Sequence, residues 1–248
     1  MTSFTLQDDL ALARVAVASA DLVSLARFRA QDLMVTTKPD RTPVTDADHA
    51  VESVIRSTIS ASRPEDDIFG EEMGTDSKTL GAKPGRQWII DPIDGTAVFL
   101  RGLPIWGTLV ALAIDGVPVV GAISAPALGK RWFGASDLGA WSTHAGSREE
   151  TPLQVGTVGK LTDATLSYNS IPQWVADGRQ EALLELTSRA WRTRALGDFW
   201  PYMLVAEGSL DMAGEPDLQP YDMAAIQPIV QGAGGRFSSL DGESSIWT

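Results

Sequence analysis

The sequence contains no cysteine. Disulfides, thiolate zinc sites and cysteine nucleophiles are therefore excluded from the start. Histidine is nearly as scarce: only His49 and His144 are present, too few for a histidine-rich metal centre. Both read as surface residues, one on a helix and one in a polar stretch. Basic residues are also short, with 20 Lys plus Arg against 32 Asp plus Glu and a formal net charge of −12. Nucleic-acid binders carry a basic patch or stripe, so no nucleic-acid partner is expected. The same balance repels a phosphorylated ligand at long range unless cations stand in the site. No apolar run is long enough to cross a bilayer, so no membrane partner is expected. The opening MTSFTLQDDL lacks the basic start and apolar core of a signal peptide, and a cytoplasmic location is the expectation.

What remains is an ordinary globular composition, 44% hydrophobic and 21% charged over 248 residues. That is enough for one large domain or two modest lobes. The organising stretch is QWIIDPIDGTAVFLRGLP, from Gln87 to Pro104. A short apolar strand, Trp88-Ile89-Ile90, stops at Asp91-Pro92-Ile93-Asp94-Gly95-Thr96. Proline fixes one backbone angle and glycine permits angles that other residues avoid, so this is a defined turn. Two carboxylates on such a turn can converge at the strand's end, and hard cations such as Mg2+ take carboxylate, water and phosphate oxygens. If a helix starts at Gly95-Thr96, its first amides can hold an anion. The plainer alternative is a strand-ending turn and nothing more, because Asp-Pro and Asp-Gly pairs are common turn formers.

Along the chain, residues 5–29 read as a helix with Thr5 as N-cap and Asp8 as its capping-box partner. A second helix opens at Thr45 and runs to about Ala61, with Val51, Ile55 and Ile59 on its buried stripe. Asp46 and Asp48 in its first turn suit the positive helix end, and capping is the preferred reading for Asp48. Asp67 to Gly70 reads as a strand ending in Glu71-Glu72; neighbouring side chains on an extended segment face opposite ways, so one of the two acids at most aims at a given point. Residues 73–86 read as a mobile loop or hairpin. The apolar runs 105–114 and 117–124 around Asp115-Gly116 predict a β-hairpin. Arg131–Gly134 and Gly139–Ser142 extend its sheet, with Trp106, Trp132 and Trp141 in packing roles. A polar stretch over 142–152 marks a lobe boundary. Beyond it the pattern predicts a strand at 164–168, a helix over 173–190 and a strand ending at Arg194. Asp198 is then a candidate N-cap for a helix running to Gly208. A strand at 210–213, a helix from Tyr221 to about Gly232 and a final strand at 236–240 complete the chain.

Three acidic motifs carry a resemblance. G-E-E at 70–72, W-I-I-D-P-I-D-G-T at 88–96, and Y-D-M-A-A at 221–225 with G-A-G-G at 232–235 resemble the inositol-monophosphatase family. These are metal-dependent phosphomonoesterases of the wider fructose-1,6-bisphosphatase superfamily. Within it, Thr37 to Val44, SAPALGKRW at 124–132 and GDFWPYMLVAEGSLD at 197–211 are most similar to histidinol-phosphate phosphatases of the actinobacterial type. The resemblance implies an α/β (α+β) fold layered as an αβαβα sandwich, with an N-terminal lobe over 1–145, a C-terminal lobe over 146–248, and a homodimer. It implies metal ligation by Glu71, Asp91, Asp94, Asp222 and the Ile93 carbonyl, holding roughly two or three Mg2+ ions per site, with Mn2+ as a substitute. Glu71 and Thr96 are the implied catalytic residues, with Asp46 as the hydrogen-bond partner of Thr96. Gly95 and Thr96 amides would hold phosphate; Asp94, Arg194, Gly197, Asp198, Glu215 and Asp222 would face the substrate. The charge of Asp198 suits an ammonium group.

The implied reaction is hydrolysis of L-histidinol phosphate in histidine biosynthesis. The alternatives are inositol phosphate or another small phosphate ester as substrate, or an inactive relative. The chemistry is coherent, because phosphate monoesters hydrolyse extremely slowly unaided and paired cations neutralise the transferring phosphoryl group. Several positions depart from the family's pattern. Ala97 and Val98 replace a polar residue and an asparagine, Tyr221 replaces tryptophan, and Pro228 falls inside a helix that it should kink. Family members usually continue past Ser245-Ile246-Trp247-Thr248 through another strand and helix, so either a loss of stability or an exposed sheet edge is expected.

Overall fold

The structure is a computed structural model and describes residues 4–39, 42–75, 84–144 and 146–247. Helix α1 (Leu6–Arg27) starts on a capping box in which Thr5 and Asp8 exchange side-chain-to-backbone hydrogen bonds. A short antiparallel hairpin follows, β1 (Val35–Thr37) and β2 (Pro43–Thr45). The polar turn between them is described only in part, since 40 and 41 lie outside the described residues. Helix α2 (Asp46–Ser62) opens on a second capping box, Thr45 with Asp48. Ala13, Ala16, Val17 and Ala20 of α1 and Val51, Ile55 and Ile59 of α2 are buried in one core. The small alanines let the two helices lie close together.

That pair covers one face of an eight-stranded sheet. Its strands are β3 (Asp67–Gly70), β4 (Gly74–Thr75), β5 (Arg86–Asp94), β6 (Gly107–Ile114), β7 (Val117–Ala125), β8 (Lys130–Ala135), β9 (Gly139–His144) and β10 (Thr151–Pro152). The order is β10-β9-β8-β7-β6-β5-β3-β4, and only β3 and β5 run parallel. The β6–β7 hairpin turns at Asp115 and Gly116 with φ of 51° and 81°, the left-handed pair that matches strand twist. Of the loop expected over 73–86, β4 is its start, and 76–83 lie outside the described residues. Alternation sorts β5 cleanly: Trp88 and Ile90 pack towards α1 and α2, and Ile89 packs into the core on the opposite face. Helix α3 (Thr96–Leu100) follows β5 directly. Trp106 and Trp132 are buried and Trp141 is half-buried, in packing roles.

The rest of the chain builds a smaller sheet of β11 (Thr165–Ser167), β12 (Arg192–Arg194) and β13 (Met212–Ala213), parallel and ordered β12-β11-β13. It is flanked by α4 (Ile171–Ala176) and α5 (Gln180–Arg189). Between the two sheets lie α6 (Trp200–Ala206), α7 (Pro220–Met223) and α8 (Ile226–Gly232). Helix α8 packs on β7, β8 and β9, while α6 packs on α8 and β13. The layers run helix, sheet, helix, sheet, helix, the sandwich the sequence resemblance implied.

Four elements differ from expectation. The helix expected over 173–190 is two, α4 and α5, separated at Gly178 with φ of 75°. Asp198 caps nothing: α6 starts from Phe199 with Pro201 in its first turn, and Asp198 sits at φ 57°. The helix from Tyr221 is split at 224–225, because Pro228 falls in the first turn of α8 and has no N–H to reach back across the break. Residues 236–240 form no strand; the backbone closes on itself there through Ser239 N–H to the Glu243 carbonyl at 2.7 Å.

Candidate active site

Strand β5 delivers two aspartates to one point. Asp91 follows Ile89 on the face away from α1 and α2. Beyond it the register with β6 slips, Asp91 opposing Leu109 and Asp94 opposing Gly107. Three steps on β5 thus face two on β6, a bulge that changes the strand's parity and brings Asp94 to the same side as Asp91. Gly95 follows with φ of 84°, a left-handed conformation that glycine adopts without strain. Its carbonyl accepts the amides of Val98 and Phe99 at 2.9 Å, starting α3.

Two further acids arrive from elsewhere. Asp222 lies in α7, where its Oδ2 accepts the Gln219 N–H at 2.7 Å. Ligand oxygens of Asp91, Asp94 and Asp222 all lie within 4.8 Å of one another. Glu71 follows β3, and its N–H donates to the Ile90 carbonyl at 3.1 Å, which sets it beside the end of β5. Lys38 Nζ lies 2.7 Å from Glu71 and 2.6 Å from Glu72. Both acids reach one lysine, contrary to strand alternation, because residues 71–73 form a turn.

The electrostatics are those of crowded, mutually repelling carboxylates. Burial first, then the charges of Glu71, Asp94 and Asp222, hold Asp91 well above the usual carboxylate range. Asp94 is raised well above that range by burial and by Asp198 and Asp222. Burial pushes Asp222 up to about 7, helped by Glu71 and Glu215. Asp91 Oδ1 is buried and has no hydrogen-bond partner among the described residues. An orphaned carboxylate oxygen among buried acids is costly unless a positive charge meets it. A set made wholly of oxygens, from Glu71, Asp91, Asp94, Asp222 and the Ile93 carbonyl, fits a hard divalent cation.

The expected partner of Thr96 requires correction. Asp46 pairs with Arg27 at 2.8 Å and accepts the Met34 N–H at 3.1 Å. It is Asp48 whose Oδ1 lies 3.2 Å from the Thr96 hydroxyl, which also lies 3.0 Å from the Ile93 carbonyl. Two helical positions apart place these aspartates on opposing faces. Asp48 does cap α2, accepting the Thr45 amide and hydroxyl on Oδ2 at 2.8 and 2.5 Å. That grip leaves Oδ1 aimed at Thr96.

Beyond the acids, a Cβ on Gly95 would lie 3.2 Å from Asp198 Oδ2, so Asp198 leans over the turn. The Phe199 N–H donates to Asp94 Oδ2 at 2.5 Å, tying this segment to β5. Burial pushes Asp198 up to about 6 and Glu215 to about 7. Glu215 accepts from the Tyr202 hydroxyl at 3.0 Å and from the Asn169 side-chain amide. Gly197 backs onto Asn169, where a Cβ would stand 2.1 Å from Oδ1. Arg194 is not drawn in: it is exposed on β12 and donates to the Thr193 carbonyl at 2.8 Å. Sequence reasoning missed the Asp48–Thr96 contact, the Lys38 ion pairs and the Asn169–Glu215–Tyr202 group. Each joins residues far apart in the chain, and no spacing rule points to them.

Comparison with known proteins gives consistent relatives. The inositol monophosphatase family matches residues 6–248. A histidinol-phosphatase of Streptomyces coelicolor is 50% identical over 239 residues, covering 95% of this chain and 88% of the relative. One from Mycobacterium tuberculosis is 49% identical, with 95% and 88% covered. Among solved structures, an inositol monophosphatase from Zymomonas mobilis superposes with a TM-score of 0.80 at 33% identity, over 97% of this chain and 89% of the other.

Proposed function

We propose that this chain, which belongs to the inositol monophosphatase family and is a phosphatase, hydrolyses L-histidinol phosphate to L-histidinol and inorganic phosphate. The observation that carries this reading is the convergence of buried and half-buried acids at the end of β5. Asp91, Asp94 and Asp222 cluster there, and Asp198 and Glu215 stand close enough to raise the pKa of their neighbours. So acidic a pocket suits a substrate that brings its own positive charge along with the phosphate. The half-identical histidinol-phosphatases support the same substrate.

Glu71, Asp91, Asp94, Asp222 and the Ile93 carbonyl would hold Mg2+, with Mn2+ as a substitute. When bound, the ion neutralises the phosphoryl group and supplies a stronger water nucleophile at neutral pH. Thr96 Oγ1 has one proton and two acceptors within reach, Asp48 Oδ1 and the Ile93 carbonyl. With that proton held on either, a hydroxyl lone pair is free to accept from an attacking water and orient it. The first amides of α3 have no partner within the helix, and those of Gly95 and Thr96 receive phosphate oxygens. Asp198 and Glu215 receive the substrate's ammonium end, with Glu215 held by Tyr202 and Asn169. A homodimer, a cytoplasmic location and a step in histidine biosynthesis belong to the same reading.

The test is phosphate release from L-histidinol phosphate, inositol 1-phosphate and fructose 1,6-bisphosphate, each with Mg2+ and with EDTA. Release from histidinol phosphate far above the other two, abolished by EDTA, is the expected result. Preference for another ester would discard the substrate and keep the metal chemistry. No release from a folded sample would leave an inactive relative.

A further inference from the structure

Glu52 is a wholly buried carboxylate with no part in the reaction described above. It lies on α2, one turn beyond Asp48. Its Oε2 accepts the Glu72 N–H at 2.9 Å, and both its oxygens lie 3.3 Å from the Met73 amide nitrogen. Arg56, a further turn along, donates Nε to Glu52 Oε1 at 2.7 Å and Nη2 to the Gly74 carbonyl. One ion pair thus holds the backbone at residues 72, 73 and 74 in succession. Room for it comes from Gly70, where a Cβ would stand 2.0 Å from Glu52 Oε1. The same turn is also tied through the Glu71 N–H to the Ile90 carbonyl, the short β3–β4 pairing and the ion pairs of Lys38 with Glu71 and Glu72.

Burying an ion pair carries a desolvation penalty, and apolar residues of similar size often stabilise as well or better. What the pair provides here is direction, since its hydrogen bonds go to the backbone of a single turn. That turn carries Glu71. We propose that Glu52 and Arg56 act as a clip, positioning Glu71 so that it meets the cation already aligned with Asp91. The clip touches neither substrate nor metal; it acts through Glu71 and rests on the metal-dependent reading above. Loss of such outer partners typically weakens metal affinity about ten- to a hundredfold.

The experiment is calorimetric titration of Mn2+ into substrate-free protein, with the Mg2+ dependence of phosphate release as a second readout. Glu52→Gln is expected to remain folded by circular dichroism and to bind Mn2+ about ten- to a hundredfold more weakly. Its half-saturating Mg2+ rises by far more than its plateau rate falls. Gly70→Ala, which displaces the same carboxylate, gives a shift of the same kind, and the double variant adds little to either, as expected for groups acting as one unit. If Glu52→Gln fails to fold, Arg56→Lys decides by the same readout, because it keeps a charge beside Glu52 and loses the reach to Gly74. Unchanged Mn2+ affinity in a folded variant, or a fallen plateau with unchanged half-saturation, overturns the clip. Wild-type protein that binds no Mn2+ would instead remove the metal reading itself.

Discussion

Asp46 and Asp48 are separated by one residue and have opposite fates. Asp46 turns away from the site to Arg27, a half-buried pair in which each side chain is about a quarter exposed at 27% and 24%, and a pair still open to solvent contributes roughly 1 kcal/mol. Asp48 is buried between Thr45 and Thr96, with burial raising its pKa. Asp48→Asn is therefore expected to lower turnover by about a hundredfold or more, as loss of a proton-holding group does. Asp46→Asn should leave turnover within a few-fold and lower stability by about 1 kcal/mol at most. Steady-state rates at saturating Mg2+ with urea midpoints check both, and equal losses of rate would restore Asp46 to the site. Asp198 offers a second discrimination. Its removal as Asp198→Asn leaves the ammonium group with Glu215 alone, so kcat/KM for histidinol phosphate should fall roughly thirtyfold, about 2 kcal/mol. Inositol 1-phosphate has no ammonium and should lose far less; equal losses would end the ammonium role.

Among the elements, the pairing of α7 with α8 determines where Asp222 stands. The break between them is pressed onto β7, where a Cβ on Gly121 would lie 2.1 Å from the Ala225 carbonyl oxygen. Backbone meets backbone there, so no side chain can give way. Gly121→Ala must push α7 and α8 off the sheet, with the roughly 1–3 kcal/mol loss typical of overpacking. Because Asp222 moves with them, Mn2+ affinity should fall too, although Gly121 is no part of the acid cluster. Thermal melts and calorimetry test the two effects separately. A destabilised protein with unaltered affinity would show that α7 tolerates the shift.

The molecule as a whole carries a net charge of −12 and concentrates buried acids in one place. Burial holds Asp222 and Glu215 near 7 and Asp198 near 6, whereas unfolded carboxylates titrate near about 4. Between about pH 4 and 7 the metal-free native state therefore keeps protons that the unfolded chain has lost. Their stabilising contribution is complete below about pH 4 and disappears as pH rises through about 7. In EDTA, the melting temperature should decline from about pH 4 to about pH 7 and level off above it. A divalent cation counters the repulsion, and at about a hundred times its Kd it adds about 2.7 kcal/mol. For a chain of this size that is about 5–10 °C, and the increment should grow with pH over the same interval. Scanning calorimetry across pH with and without Mg2+ measures this; a flat EDTA profile would mean the acids ionise without penalty.

Much of this architecture was legible from neighbouring residues. The capping boxes at Thr5 and Thr45, the Asp115-Gly116 hairpin and the Asp91–Thr96 turn rest on bonds and backbone angles within a few positions, where local chemistry decides the outcome. Order along the chain did the same for Glu71, Asp91, Asp94 and Asp222, whose motifs carried the family resemblance. Other features had no local determinant. Asp46 and Asp48 are equally good first-turn acids, and only the packing of α2 beside β5 selects which one meets Thr96. The place of Asp198 over Gly95 and the Glu52–Arg56 grip on the Glu71 turn involve groups from distant parts of the chain, whereas 236–240 closes locally on the Glu243 carbonyl instead of forming a strand. Local sequence thus determined most of the elements and the acid motifs. The close approach of segments remote in sequence decided which oxygen faces which partner, because a hydrogen bond or buried charge is settled over a few ångströms of space.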